Sequence, residues 1–287
     1  CTPSRWHDRG MNELLPTPVA TVEDLADALS GPDAGRILIL DVSMGASPTA
    51  PHIPGALRFD LDASMSDQTT GLPHTMPSPE AFQEALRGLG MNEDSHVVVT
   101  ETDSLFAAAR PWWMLRAMGI DDVSILDGGN PAWQRAGHRL TTESTPTPAP
   151  GGVVLHPREG LVVDQDYVEQ TIASGAETVV DARSRSRFRG EEAEPRPGLR
   201  TGHMPGAVNL PFTELQEAGR LRSVDDLSAR VDEVCRQPSV VASCGSGVTA
   251  CVVALAAVLS GRRTVRVYDG SWSEWGRARG PAVVTGG

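Results

Sequence analysis

Val240-Val241-Ala242-Ser243-Cys244-Gly245-Ser246-Gly247-Val248-Thr249-Ala250, followed by the apolar run Cys251 to Leu259, is the stretch from which the rest of the chain can be read. A short β-branched segment ends in a cysteine, a loop with two glycines follows, and an Ala/Val/Leu-rich run comes next. The pattern predicts strand, tight loop, helix. Cys244 then stands at the mouth of a helix N-terminus, where loop and first-turn N–H groups converge on one small anion-favouring cavity. Cysteine pKa values at such places fall from about 8.5 to roughly 3.5–7.5. The expectation is a nucleophilic thiolate whose cradle would also hold a persulfide. Against it stands the plainer reading of Cys244 as a small buried hydrophobe, which the Gly-Ser-Gly that follows disfavours. A cysteine-dependent phosphatase would need an arginine six positions on, to fork onto phosphate. Ala250 stands there, so that chemistry is set aside.

The loop from Cys244 to Thr249 resembles the active-site loop of the two-domain sulfurtransferases of the rhodanese superfamily, in particular its 3-mercaptopyruvate branch. Thiosulfate-using members typically carry Arg and Lys where this chain has Gly245 and Ser246, so the resemblance implies mercaptopyruvate as donor.

Working outward, 287 residues suffice for two domains, each able to bury a core. With 40% hydrophobic and 22% charged residues the composition is that of a soluble globular protein. Lys and Arg number 25 against 37 Asp and Glu, which argues against nucleic acid or an anionic membrane as partner. The apolar run after the loop is far short of the roughly 20 residues that span a bilayer. Cys1, Cys235, Cys244 and Cys251 form no C-x-x-C pair and no metal-ligand pattern. Neither zinc nor a disulfide framework is indicated, no cofactor is called for, and a reducing, cytoplasmic setting is expected. Cys235 and Cys251 are read as packing residues, with a disulfide-switch role as the minor alternative. Residues 1–16 are expected to be a disordered start without a secretory signal. Cys1 as a lipidated terminus and Met11 as the natural start are both left open.

The chain reads as two related halves. In the first, Ile37 to Leu40 ends in Asp41, then come His52-Ile53-Pro54-Gly55-Ala56, an apolar strand Val97 to Val99, a helix around Trp112 to Met118, and Asp127-Gly128 before Trp133. In the second, Thr178 to Val180 ends in Asp181, then come His203-Met204-Pro205-Gly206-Ala207, the strand before Cys244, its helix, and Asp269-Gly270 before Trp275. Short buried strands alternating with helices predict two tandem α/β domains with mostly parallel central sheets. The expected boundaries are 17–140 and 158–287, joined by an extended Thr/Pro/Gly-rich linker over 141–157. The His-x-Pro-Gly-Ala and Asp-Gly-x4-Trp patterns are similar to rhodanese-domain landmarks, and they extend the resemblance over nearly the whole chain after Thr17.

The halves differ in two ways. Glu101 stands, to within one residue, where the second half has Cys244, and no cysteine occurs between Thr2 and Glu233, so only the C-terminal half is expected to be catalytic. Asp41 to His52 spans 11 residues and Asp181 to His203 spans 22, so the second half carries 11 extra residues after its first strand. That insertion holds Arg183, Arg185, Arg187, Arg189, Arg196 and Arg200 in an otherwise acidic chain, at a position where parallel α/β sheets bind ligands. A basic lining would focus an anion onto the thiolate. Arg183, Arg185, Arg189 and Arg200 are read as solvated surface charges. By position, Arg187 and Arg196 match the two family arginines that hold the donor's carboxylate and carbonyl, a planar target suited to guanidinium forks.

The resemblance also implies that Asp62 and His74 form a relay with Ser246 to protonate the pyruvate enolate; a purely structural hydrogen-bond network is the alternative. The expected reaction takes sulfur from 3-mercaptopyruvate onto Cys244, with Gly245, Gly247, Val248 and Thr249 completing the cradle, and passes it to a thiol acceptor such as thioredoxin, a small dithiol or cyanide. A thiosulfate sulfurtransferase, a relay protein receiving persulfide from a partner, and a non-catalytic scaffold are the competing readings.

Overall fold

The structure is a computed structural model that describes residues 14–47, 49–102 and 105–287. The first thirteen residues, which include most of the expected disordered start, lie outside the described residues. The chain divides into two compact units. The first comprises residues up to Asp67, Met76–Arg158 and Ala218–Leu221; the second comprises Gln68–Thr75, Glu159–Glu217 and Arg222–Gly287.

In chain order the first unit contains β1 (Val19–Ala20), α1 (Val22–Ser30), β2 (Ile37–Asp41), β3 (Leu57–Arg58), α2 (Pro79–Gly88), β4 (His96–Thr100), α3 (Ala109–Ala117), β5 (Val123–Leu126) and α4 (Gly129–Arg135). Its sheet has the order β1-β5-β4-β2-β3, with every pairing parallel. Strands buried on both faces read as near-continuous apolar runs, which is why the middle of His96–Thr100 is Val-Val-Val, and all five residues are buried. Leu25, Ile39, Val98, Leu126 and Trp133 meet in the core, and Leu15, within the expected disordered start, is buried with them. The helix starts are encoded locally: Thr21 and Asp24 make a capping box, and Ser78 caps α2 ahead of Pro79. Residues of 141–157 form no helix and no regular strand; Gly151 N–H donates to Arg87 O and Val153 N–H to Met91 O. A side chain at Gly151 would collide with Met91 O, 2.0 Å from an ideal Cβ, so glycine lets this extended segment lie flat on the unit.

The second unit repeats the plan: β6 (Val162–Val163), α5 (Gln165–Ser174), β7 (Thr178–Asp181), α6 (Arg185–Arg189), β8 (Val208–Asn209), β9 (Gln216–Glu217), α7 (Val224–Val234), β11 (Ser239–Ser243), α8 (Ala250–Leu259), β12 (Thr264–Tyr268) and α9 (Ser271–Trp275). The short β10 (Arg220–Leu221) falls in the first unit. The sheet order β6-β12-β11-β7-β8 is parallel throughout and matches the first sheet strand for strand. The central α8 is buried along nearly its whole length, so it is apolar all round rather than amphipathic. Among the described residues no helix is long and apolar enough to cross a membrane.

The register settles the alignment of the halves. Asp181 pairs with Ser243 and Asp41 with Thr100, so Cys244 and Glu101 occupy the same place one residue past their strands. In both units that place is at the carboxyl end of a central strand whose neighbours lie on opposite sides, the switch point where doubly wound sheets bind ligands.

Candidate active site

Cys244 follows β11 and is 2% exposed. Its backbone is held from both sides by the turn into α9: Cys244 N–H donates to Ser271 Oγ (3.2 Å), and Cys244 O accepts from Trp272 N (3.0 Å). Gly245 O accepts from Ser273 N (2.8 Å) and Ser273 Oγ (2.7 Å). Ser271 sits at φ +48, a left-handed conformation that costs a residue with a Cβ roughly 1–2 kcal/mol. The first unit has Gly129 at the equivalent turn position, at φ +54. The serine bears this strain while its hydroxyl accepts from Cys244 N–H and donates to Tyr268 O (2.8 Å).

The first unit shows what such a loop binds. There the Glu101 carboxylate, in the cysteine's place, accepts from the N–H groups of Phe106 (2.9 Å), Ala107 (3.0 Å) and Ala108 (3.0 Å) just before α3. The hydrogen bonds Arg110 N to Ala107 O and Cys251 N to Val248 O align the two loops. The N–H groups corresponding to that cradle are therefore those of Gly247, Val248 and Thr249. A loop of this shape is an anion cradle, filled in one unit by a tethered carboxylate and in the other fronted by a thiol.

The second unit gathers further groups around the loop. Ser246 Oγ lies 2.9 Å from His74 Nδ1 and 3.4 Å from Arg196 Nη2. Ser246 Oγ can thus accept from Arg196 while sharing a proton with His74 Nδ1, whose role as donor or acceptor depends on the tautomer of the ring. His74 is buried and held at φ +61. An ideal Cβ on Gly245 would lie 3.2 Å from Arg187 Nη2 and 3.8 Å from Arg196 Nη1, so both guanidiniums face the loop where it carries no side chain. Asp62 belongs to the first unit, where its N–H donates to Asp60 Oδ1 (3.0 Å).

The sequence reading of the arginine insertion needs correction at Arg183. It is not a surface charge: its side chain is 1% exposed and pairs with Asp181 (2.6 Å) and Glu194 (2.7 Å) while lying 4.1 Å over the Trp272 ring. Burial works against its charge, but the two carboxylates outweigh burial and hold its pKa above the ordinary value. Arg200 is half-buried and donates to Trp275 O (2.7 Å). Arg185 and Arg189 are exposed. His203, counted in the sequence as a fold landmark, stacks on Phe188 at 3.7 Å and bonds to its carbonyl oxygen, which fixes the short helix carrying Arg187. Cys235 and Cys251 are buried; burial pushes the Cys235 thiol up to about 11, and Cys251 Sγ donates to Gly247 O (3.3 Å).

A model of the rhodanese-like domain matches residues 21–136 and again 164–278. The chain is 44% identical over 227 residues to the 3-mercaptopyruvate sulfurtransferase of Escherichia coli strain K12, spanning 78% of this chain and 80% of that protein. It is 40% identical over 280 residues to the 3-mercaptopyruvate sulfurtransferase of Homo sapiens, spanning 92% of this chain and 93% of that one. The crystal structure of SseA from Escherichia coli superposes with a TM-score of 0.78 at 39% identity, covering 90% of this chain and all of that one.

Proposed function

Because the chain belongs to the rhodanese-like domain family, we propose that it is a sulfurtransferase that takes sulfur from 3-mercaptopyruvate through a persulfide on Cys244. One observation carries the reading: Cys244 begins an uncharged anion-cradle loop faced at Gly245 by two guanidiniums. This arrangement suits a donor whose carboxylate and carbonyl are held while its sulfur meets the thiolate.

Arg187 and Arg196 hold the carboxylate and 2-oxo group. The Cys244 thiolate attacks the donor sulfur; the new S–S bond forms as the C–S bond breaks, and its electron pair goes to carbon as the enolate of pyruvate. The proton of the donor thiol ends on that carbon, so the products are the Cys244 persulfide anion and pyruvate. Ser246 and His74 pass the proton, and the N–H groups of Gly247, Val248 and Thr249 bear the persulfide charge. Asp62 enters the same relay on the family resemblance alone. In the second half-reaction a thiolate acceptor, such as a thioredoxin-like or small dithiol, or cyanide, attacks the outer sulfur and restores the Cys244 thiolate. Among the described residues, Cys235, Cys244 and Cys251 are free and buried, which suits a reducing, cytoplasmic setting.

The test is pyruvate release from 3-mercaptopyruvate with thiosulfate as the parallel donor, for the parent and for Cys244→Ser. The expected result is a strong preference for mercaptopyruvate in the parent and no turnover in the variant. A preference for thiosulfate sinks the donor assignment, and surviving activity in Cys244→Ser sinks the nucleophile.

A further inference from the structure

Glu194 lies in the arginine insertion, yet its carboxylate is 2% exposed and sits between two guanidiniums. Arg183 Nη1 donates to it at 2.7 Å, and Arg187 binds it through Nε (3.2 Å) and Nη2. Arg183 is already neutralised by Asp181, which it meets through Nε (3.0 Å) and Nη2 (2.6 Å). Two consequences follow for Arg187. Its Nε edge is occupied, so the Nη1/Nη2 edge is the one left to face Gly245 and a bound donor. Its charge is also matched by a carboxylate that solvent barely reaches and therefore barely screens.

Counting the cluster, Arg183, Arg187 and Arg196 carry three positive charges, and Asp181 and Glu194 carry two negative ones. The loop residues Gly245 and Ser246 add none. Before the reacting Cys244 thiolate is counted, the groups around the donor-holding guanidiniums therefore carry one positive unit. We propose that Glu194 sets donor choice: by cancelling one guanidinium it leaves a pocket matched to a monoanionic 2-oxo acid thiol and mismatched to a dianionic donor such as thiosulfate. This rests on the sulfurtransferase reading above and deepens it. Glu194 acts through Arg187, so it is a positioning and charge-setting residue rather than a catalytic one.

Glu194→Gln keeps the shape and an acceptor oxygen but adds one positive unit to the pocket. A dianion gains one more charge–charge interaction from that change than a monoanion does. At a separation of about 6 Å and an effective dielectric of about 20, that interaction is worth about a hundredfold in relative kcat/KM, and solvent screening leaves at least about tenfold.

The experiment measures kcat/KM for 3-mercaptopyruvate and for thiosulfate on the same preparations of the parent, Glu194→Gln and Glu194→Asp. The ratio between donors cancels the fraction of active protein, so partial misfolding does not move it. The expected result is a thiosulfate-to-mercaptopyruvate ratio at least about tenfold higher in Glu194→Gln, reduced by added salt, with Glu194→Asp keeping the parent ratio. If both donors fall in step in Glu194→Gln, Glu194 is a structural prop and the proposal is wrong. A shifted ratio in the charge-conserving Glu194→Asp overturns it as well, including where Glu194→Gln yields no folded protein. Failure of the underlying reading is seen separately, as thiosulfate preference in the parent itself.

Discussion

Replacing Glu101 by Gln tests the idea that the loop after the central strand is an anion cradle by construction. The Glu101 side chain is buried, and its two oxygens accept four contacts from three backbone N–H groups at 2.9–3.3 Å. Hydrogen bonds to a charged acceptor contribute about 1.5–3 kcal/mol each, and an orphaned buried donor costs about 1–3 kcal/mol. Glutamine keeps one acceptor oxygen but turns an NH2 toward N–H donors, so at least one donor loses its partner and the rest lose the charge. Allowing for non-additivity, the expected destabilisation is about 3 kcal/mol. For a unit of this size that corresponds to a melting temperature lower by about 6–12 °C. Scanning calorimetry on the whole chain reads it, and sulfur transfer well below the transition should keep the parent rate, since Glu101 belongs to the first unit and Cys244 to the second. A shift under about 2 °C would mean that the N–H groups do not depend on the carboxylate, and the argument from one loop to the other would fail.

Ser271→Gly and Ser271→Ala should part company. Both lose the bond to Cys244 N–H and lower kcat/KM about tenfold, but only Gly is released from the left-handed strain, so the Ala variant should be less stable by about 1–2 kcal/mol; equal denaturation midpoints would refute the strain. Gly245→Ala pushes a Cβ to 3.2 Å from Arg187 Nη2 at a position with no positive φ, so KM for the donor should rise about tenfold while stability moves by less than about 1 kcal/mol; an unchanged KM would mean that Arg187 does not depend on the bare loop. His96 donates through Nε2 to Ser124 Oγ (2.8 Å), whose own proton goes to Pro16 O (2.7 Å), and burial lowers its pKa from 6.5 to about 4. Between those values the unfolded chain binds more protons than the folded one. Stability therefore rises with pH across that window and is complete above it, with about 2 kcal/mol lost at about pH 5 relative to about pH 8. Denaturant melts at both pH values should show the loss in the parent and a smaller one in His96→Gln; equal losses would remove the assignment.

The fold was legible because its information is local and repeated. Two apolar strands ending in Asp, two Pro-Gly turns and two Asp-Gly-x4-Trp endings define the halves, and the parallel sheets match strand for strand. The correspondence of Glu101 with Cys244 was readable to within one residue, and the strand register removes that residue of slack. The loop itself was readable as a motif. Its supports were not, because they come from elsewhere in the chain. Ser271 is one serine in Gly-Ser-Trp-Ser until its φ and its bond to Cys244 are known. Arg183 looked like any exposed arginine, since charge counting cannot tell a solvated guanidinium from one closed between Asp181, Glu194 and Trp272. Glu194 was passed over for a related reason: in a segment rich in Arg and Glu, nothing marks the one carboxylate that is buried. The bond between His74 and Ser246 joins residues 172 positions apart, a separation at which family resemblance was the guide and sequence pattern carried no signal.

The most direct test of the account is the mass of the protein after exposure to 3-mercaptopyruvate without an acceptor. The account predicts a gain of one sulfur atom, mapped to the peptide holding Cys244, absent in Cys244→Ser and removed by cyanide or a dithiol. Pyruvate released with no added sulfur, or sulfur carried on Cys235 or Cys251 instead, would contradict the persulfide at Cys244 on which the whole mechanism depends.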